Sequence, residues 1–250
     1  MYNVCKISLF LTKNIFSNHV KEMFKDFLRL FIPHVCPLCG MPMLSHETVM
    51  CFGCRMSLPQ TNFHLFPDEN ALAQNFWGRI ELKYAVACYF YTKGLKVQTL
   101  IHMLKYKSRP DVGVDIGRYY GEILADSKIL SDVAYIIPVP LHKRKKRIRG
   151  YNQAEVFANG LSESLNIPVD VQILQRVAFT ETQTRKSRFA RWKNVNEMFH
   201  LDQPDRIQGK HVVIVDDVVT TGATLESCIL ELKKAGNVTV SVVSMAVASG

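Results

Sequence analysis

The stretch Val212–Leu225, "VVIVDDVVTTGATL", sets four apolar residues before two adjacent carboxylates, then a hydroxyl-rich turn with one glycine, then the start of a helical pattern. A short apolar run bounded by polar residues reads as a buried strand. The turn leads into "ATLESCILELKKAG", whose Leu225, Ile229 and Leu232 share one helical face, and Gly236 stands where a helix C-terminus favours glycine. In an open parallel sheet, ligands bind outside the carboxyl ends of the strands. Asp216 and Asp217 are expected at such an end. The first turn of the next helix offers unpaired N–H groups and a positive dipole to an anion. Thr220, Thr221 and Thr224 add hydroxyls, and Gly222 lets the backbone approach an anion closely. Carboxylates beside a phosphate cradle need another partner. Ionised, they only accept hydrogen bonds, so sugar hydroxyls or Mg2+ suit them. The pattern predicts a site for a phosphorylated sugar. A phospho-acceptor pocket would use the acids but not the hydroxyl-rich turn, and a plain N-cap after a strand would also favour Thr and Asp. With no G-x-x-x-x-G-K-[ST] and no G-x-G-x-x-G in the chain, a nucleotide P-loop and a dinucleotide fold are unsupported.

Working outward, strands and helices alternate. "YAVACYFY" (84–91), "YIIPVP" (135–140), "VDVQIL" (169–174), "HVVIVDD" (211–217) and "VTVSVVSMAV" (238–247) read as strands. Between them, "GLKVQTLIHMLKYK" (94–107), "DVGVDIGRYYGEILAD" (111–126) and "YNQAEVFANGLSESLN" (151–166) carry apolar residues at helical spacing. Near-continuous apolar strands separated by amphipathic helices predict an α/β fold with a mostly parallel twisted sheet flanked by helices, over about residues 76–250. A polar, Pro-containing linker is expected over 59–75.

The N-terminal part reads differently. "CPLCGMPMLSHETVMCFGC" spaces Cys36, Cys39, Cys51 and Cys54 as two C-x2-C pairs with eleven residues between them. Such knuckles can bring four thiolates around one ion, and zinc is the expected metal in a closed, structural site. Iron–sulfur ligation also uses four thiolates, with spacings that usually differ. "MFKDFLRLFIPHVC" predicts a short amphipathic helix through Phe24, Phe27, Leu28, Phe31 and Ile32, ending before Pro33, so residues 23–60 form a helix plus a small zinc-binding module. Met23 is then a candidate start, and residues 1–22 an extension without structure of their own.

The chain carries a formal charge of +9, and its basic residues gather in "HKRKKRIRG" (142–150) and "RKSRFARWK" (185–193). These read either as solvated loops or as groups meeting phosphate on a small substrate or a nucleic acid. Seven cysteines, an odd number, argue against a fully paired disulfide framework and fit a reducing compartment, so a cytoplasmic location is expected. No apolar run approaches the ~18 residues that span a bilayer, so membrane insertion is not expected.

Taken together, the motifs resemble a known family. "VVIVDDVVTTGATL" looks like the phosphoribosyl pyrophosphate signature of type I phosphoribosyltransferases. In order along the chain, the four-cysteine knuckle, "PVPLHKRKKRIRGYNQAE" (138–155), "TETQTRKSRFARWKNVNEMF" (180–199) and that signature resemble the ComF family of phosphoribosyltransferase-like proteins linked to DNA uptake in natural competence. The resemblance implies that Asp216 and Asp217 contact the ribose hydroxyls. It implies that the turn from Val218 and Val219 through Thr220, Thr221, Gly222 and Ala223 to Thr224 holds the 5-phosphate. "LKYK" (104–107) occupies the place of a pyrophosphate loop, although a lysine pair near a helix C-terminus is equally expected from the dipole. Lys105 and Arg149 are thus substrate-binding candidates. A lid is implied over 176–194, where Arg185, Lys186, Arg188 and Arg191 would approach the pyrophosphate. Lys105 and Arg191 are the catalytic candidates, and no general base for an incoming amine is readable. Implied cofactors are structural Zn2+ and Mg2+ bound with phosphoribosyl pyrophosphate. Implied partners are single-stranded DNA and DNA-uptake helicase or recombination proteins. The activity implied is Mg2+-dependent phosphoribosyl transfer. The alternative is a non-catalytic, DNA-binding accessory protein that uses the pocket as a sensor or scaffold.

Overall fold

The computed structural model describes residues 34–176 and 198–248. The expected N-terminal helix and extension, the second basic cluster, Arg191 and nearly all of the expected lid lie outside the described residues. The chain divides into two compact units, with the boundary between Ser57 and Leu58.

In the first unit a tight turn carries the first C-x2-C pair. Cys36 N–H donates to Met41 O at 2.8 Å and Gly40 N–H to Cys36 O at 2.8 Å, with a single antiparallel bridge between Val35 and Pro42. The second pair opens a short helix, α1 (Phe52–Met56).

The second unit has one four-stranded sheet. Its elements in chain order are α2 (Ala71–Gln74), β1 (Ala85–Tyr91), α3 (Lys96–Tyr106), α4 (Pro110–Ser127), β2 (Val133–Pro138), α5 (Lys143–Arg149), α6 (Gln153–Leu165), β3 (Leu174–Arg176), β4 (Phe199–Leu201), β5 (His211–Val219), α7 (Ala223–Lys233) and β6 (Thr239–Ala248). The sheet order is β1-β6-β5-β2, and every pairing is parallel. β5 and β6 are flanked on both sides, and Val212–Val215 and Val240–Val243 are buried. That is the environment near-continuous apolar strands require. Among the described residues the sheet gains beyond β2 only one parallel bridge, Ile136 to Val169, so the chain passes one side of β2 before β5 pairs with its other side. β3 and β4 form a separate antiparallel pair.

Two helices pack unusually close. α4 places Gly113, Gly117 and Gly121 against α6, and a Cβ built on Gly117 would lie 2.3 Å from Phe157 O, while one on Gly160 would lie 2.2 Å from Val114 O. Glycine is required there because the facing atoms are backbone and cannot yield. Asn152 sets the start of α6: its side chain accepts from Ala154 N–H at 3.2 Å and donates to Val139 O at 2.9 Å.

Three expectations differ in detail. "VDVQIL" does not form a continuous strand, because Asp170 Oδ1 accepts from Gln172 N–H at 2.8 Å and Ile173 N–H at 3.2 Å, folding the chain into a local turn. The first basic cluster is a helix rather than a loop: the His142 side chain accepts from Arg144 N–H, and Gly150 ends it at φ +82°. The stretch 59–75 is no free linker. It contains α2, buries Phe63, Leu72 and Ala73, and its Asn70 caps α2 while donating to Ala85 O of β1 at 2.9 Å.

Candidate functional site

In the first unit, ligand atoms of Cys36, Cys39, Cys51 and Cys54 all lie within 4.8 Å of one another, and the sulfurs of Cys39 and Cys51 are 3.6 Å apart. Four sulfurs around a single tetrahedral ion at ~2.3 Å would be separated by slightly under 4 Å, so the cluster fits a metal. Charge points the same way. Burial opposes ionisation of Cys36, but N–H groups of Cys51, Leu38 and Cys39 outweigh it and bring that thiol down to about 6. Burial, and then the neighbouring cysteines, push Cys54 up to about 12. Four thiolates would coexist in so small a space only with a cation between them. Glu47 braces the connecting loop: its two carboxylate oxygens accept from Leu44 N–H at 2.7 Å and Phe52 N–H at 2.6 Å. Sequence reading did not single out Glu47, and its spacing from the cysteines carries no signature.

In the second unit, β5 runs to Val219, so Asp216 and Asp217 sit three and two residues inside the strand instead of at its last position. Val218 and Val219 pair with Ala246 and Val247 of β6, which engages their backbone in the sheet. Thr220, Thr221 and Gly222 form the turn, and α7 starts at Ala223. Thr220, Thr221, Ala223 and Thr224 are exposed. Among the described residues no side chain caps α7, and its first N–H groups, with the positive end of the dipole, face the turn.

The acids do not act as a bare double negative charge. Burial, and then the neighbouring Asp217, raise Asp216 to about 7, against a lowering by the Asp217 N–H, Lys105 and Arg176. The Asp217 N–H donates to Asp216 Oδ1 at 2.8 Å. Lys105, in the last turn of α3, places Nζ 2.9 Å from Asp217 Oδ2, with side chains 22% and 12% exposed. The ion pair with Lys105 offsets negative charge at the acid pair. Such a set can donate to and accept from hydroxyls without expelling an adjacent phosphate.

The residues on either side of Lys105, Leu104 and Tyr106, are each held by contacts. Tyr151 Oη donates to Leu104 O. Arg149 Nη1 donates to Gln153 Oε1 at 2.6 Å, and its guanidinium lies 5.6 Å from the centre of the Tyr106 ring. Ser108, just beyond α3, turns the chain at φ +50°, the left-handed conformation in which helices often end. Arg176 was expected only as an edge of the lid. It is half-buried, 5.3 Å over the Phe199 ring, with Nη2 2.8 Å from Met198 Sδ, and it exerts a field on Asp216. At the opposite end of the strands, His211 links Asp132 and Ser241 at 2.8 Å each. These are the residue types of a hydrolytic triad, but Ser241 is fully buried and no substrate reaches it; the network ties β5 to β6 and to the approach to β2.

The parallel sheet and the acid-turn-helix segment at its carboxyl end define a phosphoribosyltransferase-type domain, and the phosphoribosyl transferase domain family matches residues 151–249. The chain is similar to the DNA utilization protein YhgH of Salmonella typhimurium, 30% identical over 211 residues that cover 83% of this chain and 82% of that one. It is also similar to the competence protein ComFC of Bacillus subtilis, 28% identical over 216 residues covering 84% of this chain and 78% of that one. The chain belongs to the ComF family. Among solved structures, glutamine phosphoribosylpyrophosphate amidotransferase from B. subtilis aligns at 23% identity and a TM-score of 0.39, covering 56% of this chain and 30% of that chain. Among the described residues no helix is long and apolar enough to cross a membrane.

Proposed function

We propose that the protein binds phosphoribosyl pyrophosphate and transfers its phosphoribosyl group to a nitrogen nucleophile, in the service of DNA uptake. One observation carries the reading: an acid pair, with Lys105 Nζ 2.9 Å from Asp217 Oδ2, lies just before a helix N-terminus that no side chain among the described residues caps. The acid pair is matched to the ribose hydroxyls and the turn Thr220–Thr224 to the 5-phosphate. Lys105 can exchange Asp217 for the pyrophosphate, supplying positive charge where negative charge develops as the anomeric C–O bond breaks and a C–N bond forms. The proton lost by the attacking nitrogen passes to solvent or to the departing pyrophosphate, since no side chain is assigned to take it. Asp216 and Asp217 are the residues suited to Mg2+, which when bound supplies charge neutralisation of the pyrophosphate. The four-cysteine cluster is assigned to structural zinc, on the strength of its all-thiolate donor set and closed arrangement. The test is pyrophosphate release from phosphoribosyl pyrophosphate with Mg2+ and a panel of bases, ammonia and glutamine. Release above the uncatalysed rate that D217A abolishes is expected; none with any acceptor removes the transfer step.

A second reading concerns nucleic acid. α5 buries none of its residues, and its sequence is "KRKKRIR". It ends on Arg149, stacked on the exposed Tyr106. A cationic helix leading to an aromatic ring is matched to single-stranded nucleic acid. If it binds, neutralising Lys143, Arg144, Lys145 and Arg147 lowers affinity and flattens its salt dependence. Binding that ignores both salt and these substitutions rules the reading out.

A further inference from the structure

The turn that carries the phosphate reading rests on a residue far away in sequence. Gly222 has φ +77°, and a Cβ built on it would fall 2.9 and 3.0 Å from the Cζ and Cε1 atoms of Phe76. Phe76 is 1% exposed. The left-handed backbone alone favours glycine; the ring occupies the side of the turn where any other side chain would project. Phe76 is itself held at both ends. Upstream, Asn70 accepts from Leu72 and Ala73 N–H and donates to Phe66 O at 2.7 Å and Ala85 O at 2.9 Å, which pins the segment to β1. Downstream, Arg79 and Ile80 N–H each donate to Phe76 O at 3.0 Å. Arg79 Nη1 then reaches Glu226 Oε2 in the first turn of α7 at 2.6 Å, and Glu226 N–H donates to Gly222 O at 2.8 Å.

We infer that residues 70–79 form a strap that fixes the phosphate turn, with Phe76 as its positioning residue. The strap lies outside the segment 151–249 matched by the phosphoribosyl transferase domain family, so this domain is completed by a part of the chain that the family match does not include. Both fastenings converge on one turn: the ring on Gly222, and the ion pair on Glu226, whose N–H is bonded to the Gly222 carbonyl. A turn set in advance presents its N–H groups to an anion without reorganising, which is where preorganisation gains affinity. The strap touches the phosphate end of the site; the pyrophosphate end is assigned to Lys105, on a different element.

This inference rests on the proposed phosphoribosyl pyrophosphate pocket, and the experiment separates the two. Ribose 5-phosphate, inorganic pyrophosphate and phosphoribosyl pyrophosphate are titrated into the full chain as wild type, F76L and F76A, with thermal melting recorded for each. F76L keeps a large apolar side chain and guards against simple misfolding of F76A. The expected result is a loss of ribose 5-phosphate affinity of about tenfold or more in F76A, smaller in F76L, as displacement of a positioned group by about 1 Å produces, with pyrophosphate affinity unchanged. A merely structural role would lower both ligands together. Wild-type binding that F76L and F76A leave intact, or weaken equally for both ligands, overturns the strap. Wild type that binds none of the three overturns the pocket reading first, and the strap's role with it.

Discussion

Replacing Lys105 by methionine removes the ammonium from Asp217 while keeping most of the apolar stem. At 2.9 Å and an effective dielectric constant of about 20, the Coulomb attraction is about 6 kcal/mol before desolvation is subtracted. Exposed pairs retain about 0–1 kcal/mol, and removing one partner from a buried pair costs about 3–5 kcal/mol. Side chains 22% and 12% exposed place this pair between those limits, at about 2 kcal/mol. For a unit of this size that is a fall in Tm of about 4–8 °C. The same charge helps hold Asp216 down, so K105M also moves the Asp216 titration upward from about 7. The assay is a thermal double-mutant cycle of K105M and D217N, with carboxyl NMR titration of each protein. The coupling expected is about 1–2 kcal/mol: once Asp217 is an amide, losing Lys105 does little. Equal effects of K105M in both backgrounds, or an Asp216 titration that does not move, would show that the pair is incidental.

Other outcomes follow from the same structure. Burial and Asp217 raise Asp216 in the folded state from 3.8 to about 7, so the native chain holds this proton longer than the unfolded chain. Its contribution to stability is greatest below about pH 4 and is lost as pH rises towards 7, and D216N should flatten that part of the stability curve; a wild-type curve that rises over the interval relative to D216N refutes the assignment. The purified protein should carry one zinc per chain by elemental analysis, C54S should carry none, and E47A should yield its metal faster to a chelator. G117A should destabilise the chain by about 1–3 kcal/mol by overpacking against Phe157 O, although alanine is intrinsically the better helix former by about 1 kcal/mol; a melt at or above wild type would mean that α4 and α6 are not in this contact.

What the sequence disclosed, and what it hid, divides along local and non-local lines. The apolar run, acid pair and turn of Val212–Leu225 are contiguous, and their meaning comes from the strand-to-helix transition they spell out. The cysteine knuckles are likewise local. Lys105 was placed near pyrophosphate only by family resemblance, because periodicity says nothing about which strand a helix end will meet; its contact with Asp217 is made by the parallel crossover that brings α3 over the sheet. Arg149 is brought beside Tyr106, next to Lys105, while Arg191 lies outside the described residues. Phe76 was invisible for the same reason: it follows a stretch whose polar residues suggested a linker, although one of them, Asn70, is the buried cap that folds it. The basic helix α5 has no apolar face to betray it, and is delimited by a histidine cap and a left-handed glycine. "VDVQIL" reads as a strand, and a single aspartate, Asp170, diverts its backbone into a turn.

The central claim is that the acid pair and the turn grip two ends of one phosphorylated sugar. Calorimetric titration of phosphoribosyl pyrophosphate with Mg2+ into the wild type, D217N and G222A tests it most directly. The account predicts saturable one-to-one binding by the wild type, weakened at least tenfold by either substitution. Heat indistinguishable from dilution with the wild type, or binding that both substitutions leave untouched, would contradict it.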